Sequence, residues 1–301
     1  MGSEYHVRTG SMSIVEKAAE RLKRQERQRP VRIAEEETFE DELSFDTREP
    51  GQREPLELDD VRLRRVGLLP PESMAQWIGR ELQRIKRPIL NAMAADATVG
   101  APPANRIMVT SANPGEGKSF TTFNLAMSLA NELDHSVLLV DGDVAKPGIS
   151  RSLGLEREPG LMHLLTHADA EPEDCVVPTS EPRLSILPAG RRSRRAAESL
   201  SSRRMKAVLD ELSADPARIL LFDSAPLLAT AESQALAVNV GQILMVVRAE
   251  HTEKRAVEAA LSLIEPAEAE ISLVLSQGHQ LFGERHAGYY GMYPAEPERT
   301  E

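Results

Sequence analysis

The 301-residue sequence predicts an α/β fold in which a mostly parallel sheet carries helices on both faces. Six short, continuously apolar runs have the composition of strands that are buried on both faces. Segments of helical character separate most of these runs, which is the alternation typical of a parallel sheet. The predicted strands are 107–110, 137–140, 184–187, 219–222, 243–247 and 271–275, and the clearest helices between them are 120–133 and 205–212.

The two ends of the chain differ from this central pattern. Residues 1–70 are rich in charge and are predicted to form a largely flexible extension with one short amphipathic helix at 13–24. A longer helix is predicted to begin near Pro71 and Glu72, and Pro88 is expected to kink or end it. The sequence thus predicts an extension (1–70), a single α/β domain (71–280) and a flexible tail (281–301).

Composition excludes several classes of protein. No apolar run approaches the ~18 residues that a membrane-spanning helix needs, so we expect a cytoplasmic protein that reaches the membrane through a partner. The formal net charge of −11 argues against nucleic acid as a partner. The single cysteine, Cys175, excludes an intrachain disulfide and is expected to be a small buried residue.

A phosphate-binding loop follows the first predicted strand and opens a helix, the context in which such a loop is meaningful. Its glycines let backbone N–H groups surround phosphate oxygens at a helix N-terminus, and the sequence thereby predicts a P-loop NTPase fold. Lys118 is expected to reach the β- and γ-phosphates, and the Ser119 hydroxyl to bind Mg²⁺. The predicted nucleotide-binding residues are Asn113, Pro114, Gly115, Glu116, Gly117, Lys118, Ser119 and Phe120.

Three aspartates follow apolar runs. Asp223 occupies the position of a Walker B acid, which holds Mg²⁺ directly or through water. Asp141 and Asp143 would repel each other after a buried strand unless a cation compensates them, as a magnesium–nucleotide site does. Asp141 is assigned as the group that takes the proton of the acceptor hydroxyl during phosphate transfer. Asp143 is assigned as the carboxylate nearer the metal, although these roles could be exchanged.

Tyrosines concentrate near the C-terminus. Of four in the chain, Tyr289, Tyr290 and Tyr293 lie within five residues of one another. Polar tails are usually poor in aromatic residues. A phosphate-handling site together with this cluster predicts an enzyme that phosphorylates its own tail.

Residues 74–293 resemble the bacterial tyrosine kinases, P-loop autokinases that govern capsule and exopolysaccharide synthesis. The similarity is carried by the phosphate loop (111–119), by Leu-Val-Asp-Gly-Asp at 139–143, by Phe-Asp-Ser-Ala-Pro at 222–226 and by Glu-x-x-Arg-x-x-Arg at 81–87. Short segments at 13–18 and 87–90 are similar to the subgroup encoded with exosortase-linked exopolysaccharide loci.

The resemblance implies a protein-tyrosine autokinase that uses ATP and Mg²⁺. It implies catalysis by Lys118, Asp141 and Asp143 and a metal held by Ser119, Asp143 and Asp223. Glu81, Arg84 and Arg87 would join subunits into a ring, within which the tails are phosphorylated in trans. The implied partners are an inner-membrane polysaccharide co-polymerase, which activates the kinase at the inner face of the cytoplasmic membrane, and a tyrosine phosphatase that counteracts it.

Two alternatives remain open at this point. A spatial-organising ATPase of the ParA/MinD type shares the scaffold, but such proteins carry a lysine where this chain has Asn113. A nucleotide-sensing adaptor of the polysaccharide machinery would bind nucleotide without transferring phosphate.

Overall fold

The computed structural model describes residues 53–95 and 101–278, and within these ranges the centre of the fold is a seven-stranded sheet. Its spatial order is β3-β4-β2-β5-β1-β6-β7. All neighbouring strands are parallel except β3 and β4. The strands are β1 (Arg106–Ser111), β2 (Ser136–Asp141), β3 (Val177–Pro178), β4 (Leu184–Leu187), β5 (Arg218–Asp223), β6 (Gln242–Arg248) and β7 (Glu270–Ser276).

Helices cover both faces of the sheet. One face packs against α1 (Asp60–Arg65), α2 (Glu72–Ala94), α3 (Lys118–Ala130) and α4 (Gly148–Leu153). The other packs against α5 (Leu161–Thr166), α6 (Pro172–Cys175), α7 (Ala196–Leu200), α8 (Arg203–Leu212), α9 (Ala231–Ala237) and α10 (Lys254–Ile264). The predicted α/β class is therefore confirmed. In the two described ranges, no helix combines the length and the apolarity needed to cross a bilayer.

The six predicted strands are all present, and each observed strand extends its prediction by at most one residue at either end. One expectation about them was wrong. β7 is not buried on both faces, because it is an edge strand on which Leu273 and Leu275 are largely exposed. The opposite edge strand, β3, was not predicted, since its two residues are too short to form a pattern.

Pro88 was expected to kink or end helix α2. The helix does not end there, but continues to Ala94. Proline removes one backbone hydrogen bond, yet Leu82 and Ile89 on either side of it are buried in the core and hold both halves of the helix against the domain. Lys86 is also buried, where its ammonium group meets Glu132 at 2.6 Å and the Ser128 carbonyl at 3.1 Å.

Residues that precede α2 also contribute to the core. Leu63 and Leu68 are almost fully buried, and the Leu68 carbonyl accepts a hydrogen bond from the side chain of Asn124 at 2.7 Å. Leucines between residues 56 and 69, within the range that the sequence assigns to the extension, thus pack against the domain. The predicted domain boundaries remain predictions, and the amphipathic helix at 13–24 lies outside the described residues.

Candidate functional site

The phosphate loop connects β1 to α3 at the carboxyl edge of the sheet. Gly115 and Gly117 have φ angles of +80° and +95°, a backbone region that side chains with a Cβ rarely adopt. These two conformations turn the chain so that α3 begins at Lys118 with its first N–H groups facing the loop. Pro114 is exposed, and Phe120 is partly buried in the first turn of α3. The local geometry is that of an anion site at a helix N-terminus.

The loop is also braced from within. The carboxylate of Glu116 accepts hydrogen bonds from the backbone N–H of Asn113 at 3.2 Å and from its side-chain amide at 3.1 Å. Asn113 is therefore engaged inside its own loop. A side chain held in this way is not extended towards a second subunit.

Asp223 ends β5 and is joined to the helix that follows the loop. Its Oδ2 accepts from the hydroxyl of Ser119 at 2.6 Å, and its Oδ1 accepts from the hydroxyl of Thr122 at 3.1 Å. Burial raises the pKa of Asp223 to about 6, although these two hydrogen bonds and the charge of Lys118 oppose the rise. Both oxygens of this carboxylate thus have partners on α3.

Asp141 ends β2 directly beside Asp223, because the two residues are in register on neighbouring strands. It is fully buried, and its Oδ2 accepts from the N–H and from the hydroxyl of Ser150, each at 2.7 Å. Within the described part of the chain, its Oδ1 has no hydrogen-bond partner. Burial, followed by the charge of Asp223, raises the pKa of Asp141 to about 7. An unsatisfied buried carboxylate oxygen is costly and points to a ligand or a proton.

Asp143 lies in the loop after β2 rather than on the strand. Its Oδ1 caps the loop by accepting from the N–H of Lys146 at 2.9 Å. Burial raises the pKa of Asp143, while the positive charges of Lys118 and Lys146 oppose the rise. The positive charge of Lys118 therefore interacts with the carboxylates of both Asp143 and Asp223. The structure brings together the lysine, the serine and the three aspartates that the sequence singles out.

The donor set fits Mg²⁺. It consists of carboxylate and hydroxyl oxygens, which are the hard ligands that this ion prefers. Within residues 53–95 and 101–278, no group of three acidic, histidine or cysteine side chains is arranged to hold a metal alone. In nucleotide sites, Mg²⁺ is usually bound through one or two carboxylates together with phosphate oxygens and water. Ser119, Asp143 and Asp223 would hold it, and the unpartnered oxygen of Asp141 lies beside them.

The remaining predicted residues lie elsewhere. Glu81, Arg84 and Arg87 are on the outer surface of α2, where Arg84 is 73% exposed and pairs with Glu81 at 3.3 Å. Tyr289, Tyr290 and Tyr293 lie outside the described residues. Cys175 is buried as expected, and burial raises the pKa of its thiol to about 12, so it is no nucleophile at neutral pH.

Sequence reasoning missed several residues that support the site. Thr122 lies one turn beyond Ser119 on the same face of α3, so helical spacing contained a usable signal for it. Ser150 is nine residues beyond Asp141 and belongs to no motif. Thr252, whose hydroxyl donates to Glu116 at 2.6 Å, is 136 residues from its partner. No local pattern reveals contacts of that kind.

The chain is similar to known proteins in sequence and in fold. A ParA family model, described as an NUBPL iron-transfer P-loop NTPase, matches residues 103–203, the part that contains the phosphate loop, Asp141 and Asp143. The tyrosine-protein kinase YwqD of Bacillus subtilis (strain 168) is 33% identical over 185 residues, which are 62% of this chain and 77% of YwqD. The chain belongs to the bacterial tyrosine kinase family.

Other relatives of the kinase are longer. The tyrosine-protein kinase Wzc of Salmonella typhimurium (strain LT2) is 28% identical over 188 residues, which are 62% of this chain but 26% of Wzc. The kinase therefore corresponds to about a quarter of that protein.

Solved structures resemble the kinase over most of their own length. The chimerical protein CapA2B2 superposes with a TM-score of 0.59 at 26% identity, over 74% of this chain and 93% of that one. The kinase domain of VpsO superposes with a TM-score of 0.51 at 30% identity, over 64% and 96%. The resemblance that the sequence indicated is thus confirmed for the family and for the fold.

Proposed function

We propose that this kinase uses Mg²⁺ and ATP to phosphorylate tyrosines of its own chain, at Tyr289, Tyr290 and Tyr293. The observation that carries the proposal is the buried, unpartnered Oδ1 of Asp141 beside the Ser119–Asp223 pair. A site that only binds nucleotide has no need of such a carboxylate oxygen. A site that accepts a hydroxyl group as a second substrate needs one.

Each residue of the site has its own role in phosphate transfer. The phenolic oxygen of tyrosine bonds to the γ-phosphorus, the bond from that phosphorus to the β–γ bridging oxygen breaks, and ADP leaves. The phenolic proton passes to Asp141, whose raised pKa makes it a better proton acceptor than an ordinary carboxylate. Lys118 and the loop N–H groups stabilise the charge on the phosphates. Mg²⁺, held through Ser119, Asp143 and Asp223, would neutralise phosphate charge.

We propose that transfer takes place between subunits. Tyr289 is thirteen residues beyond Ser276, which ends β7, and a fully extended chain of that length spans ~40 Å. Such a reach is sufficient for the active site of a neighbouring subunit. Glu81, Arg84 and Arg87 would form the contact between subunits, since Arg84 is exposed and its partner Glu81 lies in the same helix. Alanine at Arg84 and Arg87 should then lower the mass of the assembly measured by light scattering.

A mixing experiment tests both the reaction and its direction. One chain carries Lys118→Met and an intact tail, and the other carries phenylalanine at the three tail tyrosines and an intact site. After incubation of the mixture with Mg²⁺ and ATP, phosphopeptide mapping should find phosphate on the Lys118→Met chain. Phosphate on the wild-type chain but not in the mixture would replace transfer in trans by transfer in cis. An unphosphorylated wild-type chain would overturn the autokinase proposal.

Membership of the family supports a proposal about the physiological setting. We propose that the kinase acts in the cytoplasm at the inner face of the membrane, where a polysaccharide co-polymerase activates it, and that it regulates exopolysaccharide synthesis. A tyrosine phosphatase would reverse the modification. Repeating the mapping with the cytosolic segment of the co-polymerase should increase the phosphate incorporated, and an unchanged yield would remove this partner.

The alternative functions have less support. A ParA/MinD-type switch relies on a lysine that crosses to a second subunit, and here Asn113 is bound to Glu116 of its own loop. A non-catalytic adaptor leaves the buried carboxylate of Asp141 without a role. Either alternative would be favoured by nucleotide binding or hydrolysis without phosphotyrosine in the experiment above.

A further inference from the structure

Glu116 is a buried carboxylate inside the phosphate loop. Its side chain is 1% exposed, and none of the ion pairs among the described residues includes it. Three donors satisfy it instead: the backbone N–H of Asn113, the side-chain amide of Asn113 and the hydroxyl of Thr252. The contact with Thr252 is the shortest of the three at 2.6 Å, against 3.1 Å and 3.2 Å for Asn113. It is also the one that comes from outside the loop.

Contacts with Arg248 fix the orientation of the Thr252 hydroxyl. It lies between β6 and α10, where its Oγ1 accepts from the N–H of Arg248 at 3.1 Å and its own N–H donates to the Arg248 carbonyl at 3.0 Å. Glu250 within this turn has a φ angle of +57°, in the left-handed region. The hydroxyl therefore accepts from Arg248 and donates its single proton to Glu116.

A second contact joins the same parts of the molecule. The hydroxyl of Ser276, at the end of β7, donates to the backbone carbonyl of Glu116 at 2.6 Å. The N–H of Ala249, in the turn before Thr252, donates to the Ser276 carbonyl at 2.9 Å. Glu116 is therefore braced through its side chain by the turn after β6 and through its backbone by the end of β7.

We propose that Thr252 is a positioning residue for the phosphate loop and that it acts through the carboxylate of Glu116. A carboxylate in the middle of a loop that binds phosphates would repel the ligand if it turned towards them. Hydrogen bonds to Thr252 and Asn113 keep the charge on the far side and fix the loop before nucleotide arrives. The inference rests on the nucleotide-binding part of the proposed function and is independent of transfer to tyrosine.

The test compares two substitutions of Thr252, each of which changes one substituent on its Cβ. Thr252→Val removes the hydroxyl at nearly constant volume, and Thr252→Ser keeps it. Mg²⁺·ADP binding, measured by calorimetry, should weaken about tenfold in Thr252→Val, which corresponds to the loss of one charge-assisted hydrogen bond. It should stay within about twofold of wild type in Thr252→Ser. Ser262→Ala, which removes a hydroxyl from the exposed face of α10, is the matched control.

A double substitution separates positioning from a general loss of stability. Glu116→Gln should also weaken Mg²⁺·ADP binding, because its amide group donates where the carboxylate accepts. Thr252→Val should then add less than twofold in the Glu116→Gln background. Under turnover conditions, Thr252→Val should raise the KM for ATP about tenfold and change kcat by less than threefold.

Different results would overturn the inference about Thr252 and the proposed function. Equal ADP affinity in wild type and Thr252→Val overturns the inference, as do fully additive effects in the double variant. A wild-type protein that binds ADP but yields no phosphotyrosine overturns the proposed function and leaves the inference about Thr252 standing.

Discussion

Asp141 and Asp223 occupy equivalent places in the sheet but differ in their surroundings. Each ends an apolar strand, the two strands are neighbours, and both carboxylates are buried. Asp223 has a hydroxyl on each oxygen, from Ser119 and Thr122. Asp141 has both donors on one oxygen, from Ser150, and none on the other within the described residues. Two carboxylates with equal sequence context and equal burial are thus prepared for different tasks.

The sharpest test of the difference is the rate of phosphate transfer. Asp141→Asn removes the proton acceptor at constant shape, and we expect transfer to tyrosine to slow by about 10³-fold. Mg²⁺·ADP affinity should change little, since Asp141 is not assigned to the metal. Single-turnover phosphorylation and calorimetry measure the two quantities. A variant that transfers phosphate at more than about a tenth of the wild-type rate would remove Asp141 from the reaction.

The free energy of unfolding offers a second test. The pKa of Asp141 is raised from 3.8 to about 7 in the folded protein, so the native state holds this proton more tightly than the unfolded chain. Its contribution to stability is therefore fully present below pH ~4 and is lost as the pH rises through ~7, at a cost of up to roughly 4 kcal/mol. Without nucleotide and with a chelator present, Asp141→Asn should be more stable than wild type at pH 8.

The effect of Asp141→Asn on the free energy of unfolding should itself depend on pH. The gain from Asp141→Asn should shrink steadily between pH 8 and pH 5, as wild type recovers its proton. Urea unfolding at both pH values measures this, with the exposed Asp134→Asn as the control. An equal gain at both pH values would mean that shape, and not ionisation, separates the variant from wild type.

The dependence of nucleotide binding on Mg²⁺ should distinguish Asp223 from Asp141. We expect Asp223→Asn to weaken Mg²⁺·ADP binding by about 30-fold, roughly 2 kcal/mol, while metal-free ADP binds as in wild type. Calorimetry with Mg²⁺ and with a chelator measures both affinities. If Asp223→Asn loses as much affinity for metal-free ADP, its role is to hold the loop and not the ion.

The hydroxyl partners give the smallest and most direct test. Ser150→Ala leaves the backbone N–H on Asp141 but removes the hydroxyl, which donates to Asp141 and accepts from the N–H of Ala189, so transfer should slow about tenfold with ADP affinity unchanged. Thr122→Val removes a bond to Asp223 and should weaken Mg²⁺·ADP binding about threefold with less effect on transfer. Threonine at 150 and serine at 122 keep each hydroxyl and serve as controls. A reversed pattern would exchange the two roles.

Much of this molecule was predictable because its signals are local. Apolar runs identified six strands to within one residue at each end, since strands in a sheet covered by helices are mostly apolar. The phosphate loop was identified because Gly115 and Gly117 supply backbone angles that few other residues adopt. The exposed face of β7 was mispredicted, because an edge strand and a central strand can have the same composition.

The fold class, the phosphate loop, the family and the ionisable groups of the site are all readable from the order of residues. The differences between those groups come from the folded molecule, through Ser150 on Asp141, Thr122 on Asp223 and Thr252 on Glu116. A motif records which groups are present, whereas a hydrogen bond depends on where two distant segments meet. Burial then magnifies that difference, because a carboxylate oxygen without a partner is costly once water is excluded.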